Sequence, residues 1–402
     1  MSASERIPVT PSVLSWARRS GGLSELIAAQ KLGISVTTLH KWETGAQKPT
    51  LKQLRKAAGC YKRPLAVLLL SQPPPEMGFD ALRDFRRLAT SEDSEPSSSM
   101  QIELRRAHSQ REVFLELAEI APNTVVEPQQ VPSISAAGNP ETAGSTLRDF
   151  IGLGDAGYSK WSTPHEALNA HIEAIERKGI MVIHTKDIAL EEMRGFCIAD
   201  FPYPVIALNG TDWPRPRLFT LIHELCHIAL RSSGMCDLHD VLPRARHVTG
   251  EDRVEKFCNH VAASTLMPSY PVLHHPNVRS KPVGHRWSLD ELGQISRTFH
   301  TSSEALLLRL ITLEHATWQQ YRELKPLLDR EYQDARRRKK AQQQTKDGGP
   351  SFYVVKARNL GRNYVLSVVD AFQARSISSL DAACYLDVKY DQIPKLAEEA
   401  FR

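Results

Sequence analysis

Two histidines and a glutamate in the middle of the chain are placed so that they could bind a metal ion and transfer a proton. His223 and His227 are four positions apart, so on a helix both rings lie on one face and can share an ion. Neutral imidazole is a common ligand of zinc. Glu224, beside the first histidine, can take a proton from water that the ion polarises and pass it to a leaving amine. The pattern therefore predicts metal-assisted hydrolysis.

The residues around these three predict a buried helix over 217–231. Apolar side chains surround the polar ones on nearly every side of that helix: Leu218, Phe219, Leu221, Ile222, Ile228 and Leu230. Imidazoles and a carboxylate are costly to bury there unless they gain a metal or other polar partners. The alternative interpretation is a polar cluster in a core helix whose hydrogen bonds are satisfied without an ion.

A zinc hydrolase needs a third protein ligand and an open fourth position. The downstream candidates by residue type are Asp237, His239, Asp240, His247, Glu251, Glu255 and His260. We favour Glu255, because a helix over 252–267 places it on one face with Asn259 and several small residues, so that two helices can pack closely around an ion. A surface carboxylate is the alternative for Glu255. A closed structural zinc site would instead need a fourth strong ligand such as Cys226 or Cys236.

The N-terminal segment has the pattern of two short helices joined by a turn. Leu23 to Leu32 is apolar at helical spacing, Gly33 ends it, and Ser35 can cap a second helix that runs through Trp42. Residues 1–75 hold 11 lysines and arginines against 3 acidic residues, in a chain of net charge +5. This basic balance favours a polyanionic partner.

On this interpretation the second helix enters the DNA major groove and presents its early side chains to base edges. These side chains are Thr37, Thr38, His40 and Lys41. Phosphate contacts, which position a protein without specifying sequence, are predicted for Arg18, Arg19, Lys48, Lys52 and Arg55. The alternative is a helical domain that binds protein rather than DNA.

The string LSELIAAQKLGISVTTLHKWETGAQKPTLKQLRKAA resembles the Xre/Cro-type helix-turn-helix family. Trp42, Glu43, Gly45 and Pro49 fall where that family turns after its recognition helix. The resemblance implies that the chain binds double-stranded DNA. Whether it also forms a homodimer stays open at this point.

Residues 179–268 resemble the ImmA/IrrE family of metallopeptidases, through KGIMVI, PVIALNG, RLFTLIHELCHIAL and VEKFCNHVAASTLMP. The resemblance implies a thermolysin-like site with metal ligands His223, His227 and Glu255, catalytic Glu224, and Asn259 supporting the ligands. Zinc is the expected metal, although manganese or iron can occupy similar ligands. Cys226 and Val261 depart from the family, which usually has Gly and Phe there.

An Xre domain followed by DFRRL at 84–88, a helix and the peptidase resembles known Xre–ImmA/IrrE fusions. This implies a DNA-binding regulator whose zinc-dependent endopeptidase domain cleaves a partner repressor protein. The alternative is a non-catalytic antitoxin or repressor that binds its operator and a partner toxin.

Length and composition predict a multidomain protein that is mainly α with an α+β core. Of 402 residues, 41% are hydrophobic and 24% charged, which is ordinary for globular domains. We expect no membrane span and no secretory signal. Six cysteines without a CxxC pair indicate reduced thiols, and hence a cytoplasmic protein.

The predicted domains differ in composition and element type. They are an all-α helix-turn-helix domain at 1–75, a helical linker region at 76–150, an α+β peptidase core with a small sheet at 151–285, a helical extension at 286–340 and a helical module at 341–402. Strands are predicted at 179–183 and 203–208. The polar segment 91–99 and the basic run Arg336–Lys340 are predicted to be solvated linkers, and 123–145 is turn-rich.

Overall fold

A computed structural model describes residues 6–21, 23–61, 63, 65–73, 97–152, 160–232, 234–236, 250–344 and 349–401. The chain divides into two compact units, Met1–Ser109 and Gln110–Arg402. The domain boundaries predicted at 150, 285 and 340 lie inside the second unit or its helices and remain predictions. The DFRRL string, and residues 91–96 of the predicted linker, fall outside the described residues.

The first unit is a bundle of short helices. Its elements are α1 (Pro11–Ser20), α2 (Glu25–Leu32), α3 (Val36–Glu43), α4 (Leu51–Tyr61) and a 3-10 turn (Leu65–Leu69). Ser24 and Ser35 cap α2 and α3 by accepting from backbone N–H groups of Ile27 and Thr38. Gly33 takes φ 67°, a conformation that favours glycine, where α2 ends.

The helices of this unit enclose a small apolar core. Its largest members are Leu14, Leu39, Trp42, Leu54 and Tyr61, each at most 2% exposed. Leu39 and Trp42 come from α3, which therefore buries one face and leaves the other to solvent. The predicted pair of helices and the inward direction of Leu39 and Trp42 are thus present in the structure.

The second unit alternates helices with a small sheet. Helix α5 (Ser98–Ile120) leads into it. The elements that follow are α6 (Pro140–Ile151), α7 (Pro164–Glu176), β1 (Met181–Thr185), β2 (Gly195–Ile198), β3 (Val205–Asn209), α8 (Pro214–Ala229), β4 (Gly234–Cys236) and α9 (Gly250–Leu266). The remainder is helical, with α10 (Ser269–Leu273), α11 (Pro276–Arg279), α12 (Leu289–Thr298), α13 (Ser303–Thr312), α14 (Trp318–Gln344), α15 (Phe352–Leu360), α16 (Arg362–Gln373), α17 (Ser379–Leu386) and α18 (Ile393–Phe401).

The sheet has four strands in the order β1-β3-β2-β4. β1 and β3 are parallel, with Met181 opposite Val205, whereas β2 pairs antiparallel with both β3 and β4. Every residue of β1, β2 and β3 is buried, so these strands are apolar along most of their length, with polar residues at the ends of β1 and β3. Helix α8 packs on β2 and β3, and α9 packs on α8 and α6. The core of the unit lies between these helices and the sheet.

The predicted fold class is confirmed, with an all-α helix-turn-helix unit, an α+β core and a helical C-terminal region. β1 and β3 overlap the two predicted strands, whereas β2 and β4, which have four and three residues, were not predicted. Residues 123–145 were predicted to be turn-rich, yet α6 begins there. Asn139 caps that helix by accepting from the backbone N–H groups of Glu141 and Thr142, and Pro140 opens it.

The interpretation of Arg336–Lys340 as a linker is wrong, because these residues continue α14 to Gln344. Lysine, arginine and glutamine have good helix propensity, so a run of charge does not by itself end a helix. Within the described residues, no helix combines the length and apolar character needed to cross a membrane.

Candidate metal centre and helix-turn-helix surface

Helix α8 places three ionisable side chains in the interior of the second unit. His223 and Glu224 are fully buried and His227 is 3% exposed. The helix is held there by apolar residues on its other faces, among them Leu221 and Leu225. Water contributes little to the solvation of its polar groups, so these groups depend on polar partners from the neighbouring elements.

Helix α9 supplies the carboxylate that completes a cluster of three donor groups. His223 Nε2 lies 3.2 Å from Glu255 Oε2, and His227 Nε2 lies 3.2 Å from Glu255 Oε1. The two imidazole Nε2 atoms are 3.1 Å apart. Among the described residues, these three form the group that could hold a metal ion. The structure thus brings together the predicted ligands from two helices.

The spacing of these atoms fits a tetrahedral zinc site. With zinc–nitrogen and zinc–oxygen distances of about 2.0–2.1 Å, two ligand atoms of a tetrahedron stand about 3.3 Å apart. The three separations of 3.1, 3.2 and 3.2 Å agree with that value. Two buried imidazole nitrogens that face each other at this distance both serve as ligands when a cation lies between them. The donor set therefore fits a divalent metal.

Asn259 orients the first ligand. His223 Nδ1–H donates to Asn259 Oδ1 at 3.0 Å, which leaves Nε2 of that ring as the acceptor that points into the cluster. Asn259 follows Glu255 by one helical turn on α9, so the same helix supplies a ligand and the group that positions another ligand.

Glu224 is buried, and neither of its carboxylate oxygens receives a hydrogen bond from a nitrogen or oxygen donor among the described residues. Gly195 of β2 is packed against it, since a Cβ at Gly195 would lie 2.5 Å from Thr220 Cγ2 and 3.0 Å from Glu224 Oε1. Burial raises the pKa of Glu224 to about 8, although the charge of His227 and the thiol of Cys197 act to lower this pKa. Such a carboxyl group can accept and return a proton near neutral pH.

Burial and the Glu255 carboxylate act in opposite directions on the two histidines. Burial dominates at His223 and lowers its pKa. At His227 burial is also the largest single cause and opposes the charged form, but the hydrogen bond to Glu255 and the nearby negative charges of Glu255 and Glu224 together outweigh it and raise the pKa to about 9. Burial likewise disfavours the charged form of Glu255, yet hydrogen bonds to the two imidazoles keep the pKa of its carboxyl well below the usual range. The cluster is thus arranged to keep Glu255 as a carboxylate.

The other candidates for the third ligand do not join this cluster among the described residues. Asp237, His239, Asp240 and His247 lie outside those residues, as do the side chains of Cys236 and Glu251. His260 bonds to Glu141 Oε1 at 2.8 Å, away from the donor triad. The Cys226 thiol contacts Cys258 and is not part of the triad.

The predicted DNA-reading side chains of α3 are on its solvent face. Thr37, His40 and Lys41 are exposed, and Thr38 is half-buried with its hydroxyl 2.8 Å from the Ser35 hydroxyl. Of the predicted phosphate contacts, four are exposed: Arg19, Lys48, Lys52 and Arg55.

Arg18 requires a correction. It is 7% exposed, and its guanidinium donates to both carboxylate oxygens of Glu43 at 2.7 and 2.8 Å and to Leu23 O at 2.9 Å. Because the guanidinium is buried and its charge is already paired with Glu43, little of it is available to a DNA phosphate. Arg18 therefore joins α1 to the end of α3, a role that its position in the sequence did not reveal.

Comparison with known families agrees with this geometry. The family described as the IrrE N-terminal-like domain, a peptidase family, matches residues 175–310. The helix-turn-helix family matches residues 14–68. The chain is a fusion of these two domains. A search of curated proteins finds no match.

The IrrE-like match extends beyond the region 179–268 on which the resemblance was based, and it takes in α12 and α13. Arg309 of α13 is fully buried, and its guanidinium donates to Met267 O at 2.8 Å and to both oxygens of Glu141, including Nη2 to Oε2 at 2.7 Å. Neither this buried pair nor the close approach of Gly195 to Glu224 was predicted from the sequence. The only signal for Arg309 was a lone basic residue in the apolar run Ala305–Ile311.

Proposed function

We propose that this chain is a DNA-binding regulator whose IrrE-like domain is a zinc-dependent endopeptidase that cleaves a partner repressor protein. The observation that carries the proposal is the convergence of His223, His227 and Glu255 within 4.8 Å of one another, beside a buried Glu224. Three protein ligands are the number that catalytic zinc sites use, because the fourth position stays open for the reaction.

The residues of the chain divide the work of peptide hydrolysis. His223, His227 and Glu255 would hold the ion, which when bound supplies Lewis acidity toward water and toward the peptide carbonyl. Glu224 accepts the proton of the attacking water and then donates it to the amine that leaves. Asn259 fixes the ring of His223, and Gly195 leaves the space that Glu224 needs.

The helix-turn-helix unit supplies the proposed link to transcription. The exposed side chains of α3 stand opposite its buried Leu39 and Trp42, so the helix can lie in a groove without disturbing its core. The exposed basic residues of the unit provide the electrostatic attraction to phosphates. Binding and cleavage would then combine regulation of an operator with removal of a repressor.

The peptidase proposal is tested by Glu224→Gln in the full chain, with cleavage of the co-expressed candidate repressor as the readout. The variant retains the metal ligands, so we expect one metal per chain as in the wild type and a loss of cleavage of at least about 100-fold. Glu173→Gln, at an exposed glutamate of α7, is the matched control and retains full activity. Undiminished cleavage by Glu224→Gln overturns the catalytic role.

The DNA-binding proposal is tested by Lys41→Gln in the full chain, with affinity for the operator measured as a function of salt. Loss of one cationic contact to DNA weakens binding and reduces the slope of log affinity against log salt by about 1 if the contact is to a phosphate. Arg279→Gln removes an exposed charge of the second unit and leaves both quantities unchanged. Equal effects of the two substitutions would place the DNA contact elsewhere.

A further inference from the structure

Arg217, in the first turn of α8, is a buried cation whose charge is not paired. Arg217 is 5% exposed, and its Nε has no hydrogen-bond partner among the described residues. Within that same part of the chain its guanidinium makes no ion pair. A buried guanidinium normally gains a carboxylate or several carbonyl oxygens, because its desolvation is otherwise uncompensated.

A second guanidinium, of Arg358 on α15, reaches the same place. A Cβ at Gly210 would lie 3.3 Å from Arg358 Nη2, which puts that nitrogen at the loop between β3 and α8. The carbonyl of Arg358 accepts a hydrogen bond from His184 Nδ1 at 3.1 Å, so β1 holds α15 in position. Burial and the nearby charge of Arg358 together lower the pKa of Arg217 to about 10. The two cations are therefore close enough to repel each other.

The acidic group of this region is already engaged. Asp212 accepts from Arg194 Nη1 at 2.9 Å, from the Trp213 backbone N–H at 2.8 Å and from the Tyr332 hydroxyl at 3.2 Å. Asp212 thus acts on Arg194 and Arg217, whereas among the described residues the guanidinium of Arg358 donates only to the neutral Asn359 side chain, at 3.2 and 3.3 Å. Three guanidiniums and one carboxylate give a local charge of about +2 at neutral pH. A dianion would neutralise this excess.

The place in the fold also favours an anion. The arginines meet where β1 and β3 end, at Thr185 and Asn209, and where α8 begins. The positive end of a helix dipole stabilises negative charge. Pro214 and Pro216 have no N–H to offer, so recognition would depend on the guanidiniums, whose paired N–H groups match the oxygens of a phosphate.

We propose that Arg217 and Arg358 form a binding site for the phosphate group of a small molecule, at the start of α8. A phosphate of duplex DNA does not fit this role, because the guanidinium of a residue 5% exposed is too deep for the backbone of a rigid double helix. The site lies about 9 Å along α8 from His223, at 1.5 Å for each of six residues. It is distinct from the metal centre and does not depend on its proposed function.

The test is the thermal unfolding of the full chain against increasing inorganic phosphate, with chloride adjusted to hold the ionic strength constant. We expect a saturable rise in Tm for the wild type, because a ligand of the folded state stabilises it by mass action. A simple phosphate monoester such as glycerol 3-phosphate and a short DNA duplex are run in parallel. Tighter binding of the monoester identifies an organic phosphate as the ligand, equal binding identifies the free ion, and a shift with the duplex alone overturns the proposal.

Variants separate this site from an anion that binds elsewhere, including at the metal centre. Arg358→Gln alters an exposed side chain, so the variant folds, and we expect its phosphate affinity to fall at least tenfold. Arg217→Gln has the same effect on affinity. Its Tm in phosphate-free buffer equals or exceeds that of the wild type, because an unpaired buried charge is removed.

Arg279→Gln, at an exposed arginine, is the control and retains the full phosphate response. A merely structural role for Arg217 would instead lower the Tm of Arg217→Gln by the same amount with and without phosphate. That result, the absence of a saturable shift in the wild type, or an unchanged shift in Arg217→Gln and Arg358→Gln would each overturn the proposal.

Discussion

Helix α9 carries two polar clusters of opposite character. Toward α8, Glu255 stands 3.2 Å from each of two buried imidazoles. Toward α6 and α13, His260 bonds to Glu141. The carboxylate of Glu141 also accepts hydrogen bonds from both terminal guanidinium nitrogens of Arg309. Both clusters join separate helices through a glutamate, and they lie five residues apart on α9.

The two clusters differ in whether their own residues pair all of their charges and hydrogen-bonding groups. Arg309 has its own carboxylate and the Met267 carbonyl, so its charge and its hydrogen bonds are complete without any ligand. The triad offers a carboxylate and two imidazole nitrogens that converge on one point, and it balances the charge of Glu255 only by binding a proton at His227 or a cation from outside. A complete cluster supports the fold, whereas an incomplete one indicates what must bind. Arg217 is incomplete in the same sense, but its unpaired charge is positive, so it indicates an anion as the ligand.

The largest expected effect comes from breaking the incomplete cluster. Glu255→Gln removes the negative ligand but keeps the shape of the side chain, so metal affinity should fall by well over about 100-fold, more than for loss of an outer partner. Metal content by atomic emission and the response of Tm to a chelator check this. The wild type should lose stability on chelation, and the variant should not respond. A variant that retains one metal per chain would remove Glu255 from the ligand set.

Breaking the complete cluster should affect stability rather than metal binding. Glu141→Gln leaves Arg309 buried without its counter-charge, and we expect the free energy of unfolding to fall by about 3 kcal/mol. Urea unfolding measures this, with metal content unchanged. The control is Glu173→Gln, which breaks the exposed pair of Glu173 and Arg177 and costs at most about 0.5 kcal/mol. Equal losses in the two variants would show that Arg309 does not depend on Glu141.

A smaller effect is expected from the group that orients the triad. Asn259→Ala removes the acceptor for His223 Nδ1–H, and metal affinity should fall by about 10- to 100-fold, as for other partners behind metal ligands. Competition with a chromophoric chelator measures the affinity. Asn259→Asp keeps an acceptor at the same position and should restore most of it. If alanine has no effect, the bond to His223 is unimportant for metal binding.

The smallest effect is a pH dependence confined to the complete cluster. The Arg309 hydrogen bonds lower the pKa of Glu141, aided by His260 and opposed by burial. An acid whose pKa is lower in the folded protein adds stability above its unfolded pKa of about 4.3 and loses that contribution as pH falls through the folded pKa. The stability gap between wild type and Glu141→Gln should therefore narrow as the pH falls from 7 to 3.5. A constant gap would mean that the charge of Glu141 contributes nothing.

Both candidate sites were recognisable before the structure to the extent that they rest on local spacing. His223 and His227 share a face because four residues make about one helical turn. Leu39 and Trp42, three residues apart on α3, share its buried face for the same reason. The two short strands β2 and β4 lacked such a signal, since three or four residues cannot display a period. The basic run Arg336–Lys340 carries no helix-breaking residue, and its charge alone did not indicate that it continues α14.

Elements with a repeating pattern, and the chemistry that fits within one or two of them, could therefore be predicted from the amino-acid order alone. The ligands on α8 and the capped helices of the first unit belong to this class. The contacts between distant residues depend on the packed fold: Arg18 with Glu43, Arg309 with Glu141, Gly195 with Glu224, and Arg217 with Arg358. Helical periodicity indicates which side of an element faces inward. It does not indicate which residue that side contacts, because a long-range contact depends on how the whole core packs.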